Sequence, residues 1–278
     1  MQKQGDVVSR ARSQMKDQFE DSLNPSKMFT QANLKKRRGA FWTCFIAAFV
    51  LVLLVTVAAV YMHVVDVGMF ETALLENVNY QVIGTDEASI RSFAQETIHF
   101  LSDQQDSWNP QISVGGFPAG SFIPQSFRTH MQTVKDAVSA ATSVFLGGAA
   151  IVLVLLLRAL TSGTRRKHGF SVGGYYVGML IPLLAIAGVV LWAVLDFDSM
   201  WMMLHRTLIP DGIFPAGELV MQLFPVSLFE AYLPPIVTSF LVFTAVVVAL
   251  PLVLAPISNA IGNRKRRTKA TNRTSQRR

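Results

Sequence analysis

The sequence is poor in charged residues. Only 15% of its 278 residues are Asp, Glu, Lys or Arg, whereas an ordinary soluble domain carries about 25%. In contrast, 51% of the residues are of hydrophobic type, and they are grouped in long blocks rather than spread at the spacing of a soluble core. This composition excludes an ordinary soluble domain and predicts a membrane protein.

Cysteine is almost absent as well. The single cysteine, Cys44, lies within the first apolar block. Since one cysteine cannot form an internal disulfide, a disulfide-stapled outer domain is excluded, and so is a cysteine-rich metal site.

Four apolar blocks are long enough to span a membrane. The first, 41–62, has no charged residue over 22 positions, which is about 33 Å of helix at ~1.5 Å per residue. The others are 138–160, 172–194 and 235–257. The first block is too long, and begins too far into the chain, for a cleaved signal peptide. The predicted fold class is an all-α membrane protein, a bundle of four transmembrane helices.

Lys and Arg are distributed unequally around these blocks. There are nine in 1–40, three in 161–171 and eight in 261–278, but only three in 63–137 and one in 197–234. Because the more basic side of a membrane protein faces the cytoplasm, this count of twenty against four predicts cytoplasmic N- and C-termini and two extracytoplasmic loop regions. We interpret the basic tail as an orientation signal and a contact with anionic lipids, not as a nucleic-acid site.

The spans and the charges together predict a multi-pass protein of the cell membrane. Its segments, in chain order, are a cytoplasmic N-terminal segment (1–40), transmembrane helix 1 (41–62), extracytoplasmic loop 1 (63–137), transmembrane helix 2 (138–160), a cytoplasmic loop (161–171), transmembrane helix 3 (172–194), extracytoplasmic loop 2 (195–234), transmembrane helix 4 (235–257) and a basic cytoplasmic tail (258–278).

The first outer loop is too long to be a simple connector. A helix start at 85–87 is followed by apolar residues at helical spacing, namely Ile90, Phe93, Ala94, Thr97 and Leu101. This pattern predicts an amphipathic helix. In the second loop we expect a short helix from about Ser199 to Leu208.

His130 is one of two histidines that fall outside the spans on a partly apolar helix face. Phe127 and Val134 share that face, because they lie three residues before and four residues after His130, and Met131 lies four residues after Phe127. We therefore predict that His130 points inward, with these three apolar neighbours as candidate substrate-binding residues.

His205 is the second such histidine. It lies four residues after Trp201 and seven after Asp198, again at one-face spacing. A neighbouring Asp can fix the tautomer of a histidine and raise its basicity. Trp201, Asp211 and Glu218 complete the predicted substrate-binding set.

The remaining histidines have simpler interpretations. His168 falls on the cytoplasmic side, His63 marks the outer end of the first span, and His99 lies opposite the apolar stripe of its helix, where we expect it to face water. A metal site formed by His130 and His205 with an acidic residue remains an alternative. It lacks the close-spaced ligand pair of specific metal motifs, and we predict no metal.

The chain resembles the bacterial lipoprotein intramolecular transacylases, a family of four-span membrane proteins. The resemblance rests on SFRTHMQTVKDA around His130 and MLHRTLIPDGIFPAGELVMQLFP around His205, and it extends from about residue 40 to 258. Thr133 stands where the first motif of the family usually has Asp, and Ile213 stands where the second usually has Trp.

This resemblance implies an acyltransferase that needs no cofactor. It would move a fatty acyl chain from the diacylglyceryl group of a lipoprotein to the α-amino group of its N-terminal cysteine, giving a lyso-form lipoprotein. The implied catalytic residues are His130 and His205. The implied partners are lipid-anchored lipoprotein N-termini in the outer leaflet and membrane lipids, with no nucleic acid.

A non-catalytic membrane protein whose outer loops bind a lipid or a protein partner is the alternative function. The two functions differ in what they predict for the histidines. If the protein is an enzyme, His130 and His205 converge on one cavity; if it is a binding protein, they face separate surfaces.

Overall fold

The fold was determined from a computed structural model of the chain. It describes residues 25–118, 120, 122–161, 169–209, 214–215 and 217–275. In chain order the elements are α1 (Pro25–Val64), α2 (Val67–Asn77), α3 (Tyr80–Ile83), α4 (Glu87–Leu101), β1 (Ser113–Val114), β2 (Phe117–Pro118), α5 (Gln125–Thr161), α6 (Val172–Leu195), α7 (Phe197–Leu208), α8 (Leu219–Leu223), α9 (Val226–Glu230) and α10 (Leu233–Ser275). The two strands pair antiparallel as a single short hairpin.

Four helices in the described part of the chain are long and apolar enough to cross a membrane. These segments are Arg38–Val64 of α1, all of α5, all of α6, and Leu233–Ile261 of α10. The predicted bundle of four spanning helices is confirmed, whereas its orientation stays a prediction. Helix α5 begins directly after Pro124, well before the apolar part of its span. Its first turns therefore extend beyond the membrane, in the region of the loops.

Helices α1 and α6 pack at backbone distance. A Cβ added to Gly178 would lie 2.3 Å from the carbonyl oxygen of Phe45, and one added to Gly174 would lie 2.5 Å from that of Phe41. Within a bilayer the hydrophobic effect does not drive helices together. They are held instead by van der Waals packing, which is closest where small residues let two backbones approach each other. These two glycines set the distance between the first and third spans.

The interior of the bundle is small and mostly apolar. Among the hydrogen bonds that link its helices, the Tyr175 hydroxyl donates to the carbonyl oxygen of Val247 at 2.9 Å, and the backbone N–H of Ser171 donates to Sγ of Cys44 at 3.2 Å. The buried residues of this bundle core are Cys44, Ala48, Val52, Ala159, Tyr175, Met179 and Val247.

A second and larger core lies outside the bundle, among α2, α4, the first turns of α5, α8 and α9. Helix α4 is the amphipathic helix predicted for the first loop, and its predicted apolar face is buried, so that prediction is confirmed. Asp86 caps it by accepting a hydrogen bond from the N–H of Ser89 at 2.7 Å, which lowers the pKa of that carboxyl. The buried residues of this outer core include Phe70, Leu74, Ile90, Phe93, Trp108, Phe127, Val220, Leu223 and Leu228.

Lys135 joins the outer loop to α5. Its Nζ donates to the carbonyl oxygen of Gln105 at 2.7 Å and lies 2.8 Å from a carboxylate oxygen of Asp103. It also lies 4.8 Å from the ring centre of Phe100, within the range of a cation–π contact. Since the Lys135 side chain is only 8% exposed, it forms a buried link between the turn after α4 and the helix that carries His130.

Candidate active site

His130 is held in place by the outer core. It lies on the second turn of α5 and is 6% exposed. Arg128, two residues earlier, donates to the carbonyl oxygens of Trp108 at 2.9 Å and Gly120 at 3.0 Å. The Trp108 indole N–H in turn donates to the Thr97 hydroxyl at 3.1 Å. The loop between α4 and α5 is thereby fixed to the helix turn that presents His130.

His205 is positioned by a break between α6 and α7. Asp196 lies between the two helices and accepts a hydrogen bond from the N–H of Ser199 at 3.1 Å, which caps α7. One turn before His205, Trp201 lies with its ring centroid 4.7 Å from the imidazole. Trp201 also stacks on Phe229 of α9 at 4.3 Å. The imidazole of His205 is therefore positioned by contact with Trp201, which is itself held by its stacking on Phe229.

The two imidazoles come together although they belong to different helices. The ring centroids of His130 and His205 are 5.7 Å apart, with 31° between the ring planes. Phe214 lies beside this pair, at 5.5 Å from His130 and 5.0 Å from Phe127. The pair can therefore contact one bound substrate at adjacent atoms.

Both histidines line a cavity of about 700 Å³. None of the described residues that line it is charged, and such apolar walls with a few polar groups are typical of ligand sites. Six of the eight predicted site residues line this cavity, namely Phe127, His130, Met131, Val134, Trp201 and His205. Their roles in binding or catalysis stay predictions.

Of the two acidic candidates, the structure describes only Glu218. Asp211 lies outside the described residues, as do Ile213 and His168. Glu218 is not among the residues that line the cavity, and it stands at the N-terminus of α8 with one carboxylate oxygen buried. The role of Glu218 in substrate binding stays a prediction.

Thr133 and Asp198 stand at the positions where polar partners of His130 and His205 were expected. The Thr133 hydroxyl, at the position where the family usually has Asp, donates to the carbonyl oxygen of Thr129 at 3.2 Å. Asp198 is exposed, and no hydrogen bond joins it to His205 within the described chain. In this structure Asp198 therefore makes no contact that would fix the tautomer of His205.

Partial burial affects the pKa of His205. Removal from water disfavours the charged imidazolium and lowers the pKa of His205 below its usual value. The neutral imidazole is then the prevailing form at neutral pH, and this form accepts a proton. Among the described residues, no group of three or more His, Cys, Asp or Glu side chains is arranged to hold a metal ion.

Several wall residues were not anticipated from the sequence. Phe214 lies within the quoted second motif, where its aromatic side chain was the available signal. Thr56, Ala59 and Val60 bring the first span into the cavity wall. That span is apolar on every side, so its sequence gives no indication of which side faces the cavity.

Comparisons with known proteins show the family to which the chain belongs. The family described as lipoprotein intramolecular transacylase Lit matches residues 43–213, more than half of the chain. The chain therefore belongs to the lipoprotein intramolecular transacylase family, as the two histidine stretches indicated. None of the curated proteins matches it in sequence.

A solved structure has the same fold. It is that of the membrane-integral lipoprotein intramolecular transacylase Lit from Bacillus cereus, with a TM-score of 0.58 and 15% sequence identity. The match covers 82% of this chain and 99% of the other. At this identity the likeness shows a common membrane fold.

Proposed function

We propose that this protein is a membrane acyltransferase that acts on bacterial lipoproteins. In this reaction, an acyl chain moves from the diacylglyceryl group on the N-terminal cysteine to the α-amino group of the same cysteine, which leaves a lyso-form lipoprotein. Membership of the transacylase family supports this function. The observation that carries it is the pairing of His130 with His205, 5.7 Å apart, in the wall of an uncharged cavity.

The reaction begins with a proton transfer. An α-amino group has a pKa of about 8 and is mostly protonated at neutral pH, whereas only the neutral amine attacks an ester. A neutral imidazole within hydrogen-bond reach accepts that proton, and general base catalysis of this kind contributes about 10²–10⁴-fold in rate. The lowered pKa of His205 is consistent with a neutral imidazole, the form that this step needs.

The second step breaks the ester. After the amine nitrogen has bonded to the ester carbon, the C–O bond to glycerol breaks and the glyceryl oxygen takes a proton. The imidazolium that holds the proton taken from the ammonium group gives it to the glyceryl oxygen. The adjacent neutral imidazole accepts the second proton, which the nitrogen loses as the amide forms, and later releases it to solvent. No Ser, Cys or Thr lies in a recognisable nucleophile motif, which favours direct transfer without an acyl-enzyme.

The position of the histidines, in a cavity between the loops and the spans, also supports a membrane substrate. The glyceryl ester of a lipoprotein lies near the boundary between headgroups and acyl chains, and the wall of the cavity is formed both by the loops and by three spans. We propose that lipoproteins reach the cavity from the outer leaflet. This location follows from the distribution of Lys and Arg.

The alternative of a non-catalytic binding protein predicted that the two histidines face separate surfaces. Their convergence in one cavity favours the enzyme.

The test uses purified protein and a synthetic diacylglyceryl lipopeptide in detergent micelles, with mass spectrometry of the products. Wild-type protein should yield the lyso-form peptide with an amide-linked acyl chain, and His130→Ala and His205→Ala should yield almost none. His99→Ala, on a partly exposed side of α4, is the matched control and should be as active as wild type. If both histidine variants fold and keep the wild-type rate, the proposed function is wrong.

A further inference from the structure

The proposed substrate brings a positive charge to an uncharged cavity. At neutral pH the α-amino group of the N-terminal cysteine is mostly an ammonium ion, and it must approach His130 and His205 before it gives up its proton. No charged side chain lines the cavity among the described residues. Because moving a cation from water to an apolar site is costly unless a counter-charge is near, this substrate needs an anionic group beside the cavity wall.

Glu218 lies beside the part of the wall that carries His130. Phe214, four residues earlier, lines the cavity with its ring centroid 5.5 Å from that of His130, and Met221, three residues later, lines it as well. The backbone N–H of Glu218 donates to the carbonyl oxygen of Pro215 at 3.0 Å, and the N–H of Met221 donates to the carbonyl oxygen of Glu218 at 3.0 Å. These two turns keep Glu218 next to both wall residues, although its own side chain is not part of the wall.

The carboxylate of Glu218 is not engaged by the protein. It stands at the N-terminus of α8 but makes no capping hydrogen bond, and no Lys or Arg of the described chain forms an ion pair with it. Among the described carboxylates it is the only one with a buried oxygen, Oε2, that has no hydrogen-bond partner. Its other oxygen is not enclosed in this way and the residue is only half-buried, so a ligand can still reach the carboxylate.

Such a carboxylate is costly for the fold. A charged oxygen that is withdrawn from water without a partner destabilises the protein, and an unpaired buried polar group of this kind is often found where a protein binds a ligand or performs catalysis. The carboxylate needs a cation, and the substrate ammonium needs an anion. Each of the two groups supplies what the other lacks.

We infer that Glu218 binds the α-ammonium group of the lipoprotein N-terminal cysteine and holds it beside His130 until the proton is transferred. This inference rests on the proposed function, which supplies the ammonium group. After the transfer the positive charge is on an imidazolium in the same part of the cavity, so the attraction of Glu218 persists. In the lyso-form product the nitrogen is an uncharged amide, and Glu218 therefore binds substrate in preference to product.

Kinetics of Glu218→Gln, which removes the charge and keeps the shape, test the inference first. Because the attraction acts both before and during the reaction, we expect KM to rise about ten- to a hundredfold, as for the loss of one charged hydrogen bond, with little change in kcat. Glu230→Gln is the matched control, since this carboxylate is exposed, and it should keep both constants. A fall in kcat at constant KM would overturn the inference, because Glu218 would then act only through the structure of its loop.

The second measurement is binding of two unreactive lipopeptides in which an ether replaces the ester. One has a free α-amino group and the other an Nα-acetyl group, and calorimetry in one fixed detergent gives the Kd of each. Wild type should bind the free amine about ten- to a hundredfold more tightly, and Glu218→Gln should bind the two equally. Equal affinities in wild type, or a preference that survives in Glu218→Gln, contradict the inference.

The outcomes separate this inference from the function on which it rests. Binding needs no turnover, so a wild-type protein that prefers the free amine but converts no lipopeptide sinks the proposed function alone. An active wild type with no such preference sinks the inference alone. Should Glu218→Gln not fold, Glu218→Asp decides: withdrawing the carboxylate by one methylene should reduce the preference several-fold, and an unchanged preference overturns the inference.

Phosphatidylethanolamine is another source of a primary ammonium group. A further arm of the binding experiment therefore adds dioleoyl phosphatidylethanolamine or dioleoyl phosphatidylglycerol to the micelles. If Glu218 binds the substrate ammonium, the two lipids leave the same Kd for the free-amine lipopeptide. If phosphatidylethanolamine alone competes, in wild type but not in Glu218→Gln, the carboxylate binds a lipid headgroup and the inference is wrong.

Discussion

Trp201 stacks on Phe229 with ring centroids 4.3 Å apart and 20° between the planes. This contact joins the helix after the third span to the segment that leads into the fourth. On its other side Trp201 lies against His205, so the stack fixes the rotation of α7 and, with it, the direction of the imidazole.

Replacing Trp201 by Leu should therefore reduce activity through misplacement of His205. We expect kcat to fall about ten- to a hundredfold, with a smaller change in KM. Trp201→Phe keeps an aromatic ring and should recover part of the loss. A rise in KM at constant kcat would instead show that Trp201 only binds substrate.

His130 and His205 should behave as one catalytic unit. Each single Ala variant removes a proton transfer worth about 10²–10⁴-fold. The double variant should lose little more than the worse single variant, because members of a unit are strongly non-additive. Rates of lyso-form production from the purified proteins provide this comparison. Losses that multiply would contradict joint action.

Acid should destabilise the folded protein through His205. Its pKa is lowered by burial, so below about pH 6.5 the unfolded chain binds a proton that the folded protein resists. The stabilising contribution of the neutral side chain is complete above that pH and is lost as the pH falls. We expect Tm in detergent to drop less between pH 8 and pH 5 for His205→Asn than for wild type. Parallel curves would contradict this.

Lys135→Met should destabilise the link between the outer loop and α5. It removes a charged hydrogen bond to Gln105, a loss of about 1–3 kcal/mol. Asp103→Asn is the matched control: this carboxylate is 72% exposed, and exposed ion pairs contribute less than about 1 kcal/mol. Thermal unfolding in detergent measures the stability of both variants. If both lose the same stability, the ion pair with Asp103 contributes more than the hydrogen bond to Gln105.

Gly178→Ala should weaken packing of the first span on the third. The added Cβ would lie 2.3 Å from the carbonyl oxygen of Phe45, so the helices must separate, at a cost of about 1–3 kcal/mol. Gly173→Ala on the same helix meets nothing within 4 Å and should change stability by less than about 1 kcal/mol. A lower Tm for Gly178→Ala alone confirms the close contact, and equal Tm values contradict it.

Much of the fold was predictable because the bilayer imposes simple rules. A span needs about 20 apolar residues, and the chain has four such blocks, so the membrane fold and the span count followed directly. The amphipathic helix α4 was predictable for a similar reason: one of its faces is apolar and the other polar, with Asp86 at its start. The family followed from two short stretches around His130 and His205.

The sequence by itself thus determined the class of protein, the number of spans and the two histidines of interest. Only the tertiary structure decided that the two imidazoles meet in the wall of one cavity, and that Asp198 is exposed and makes no hydrogen bond to His205. The physical reason is that spanning helices are apolar on all sides. Hydrophobic periodicity then carries no information about which face meets lipid, which meets another helix and which lines a cavity. Those faces are set by close contacts such as that of Gly178 with Phe45, which bring together residues distant in the chain.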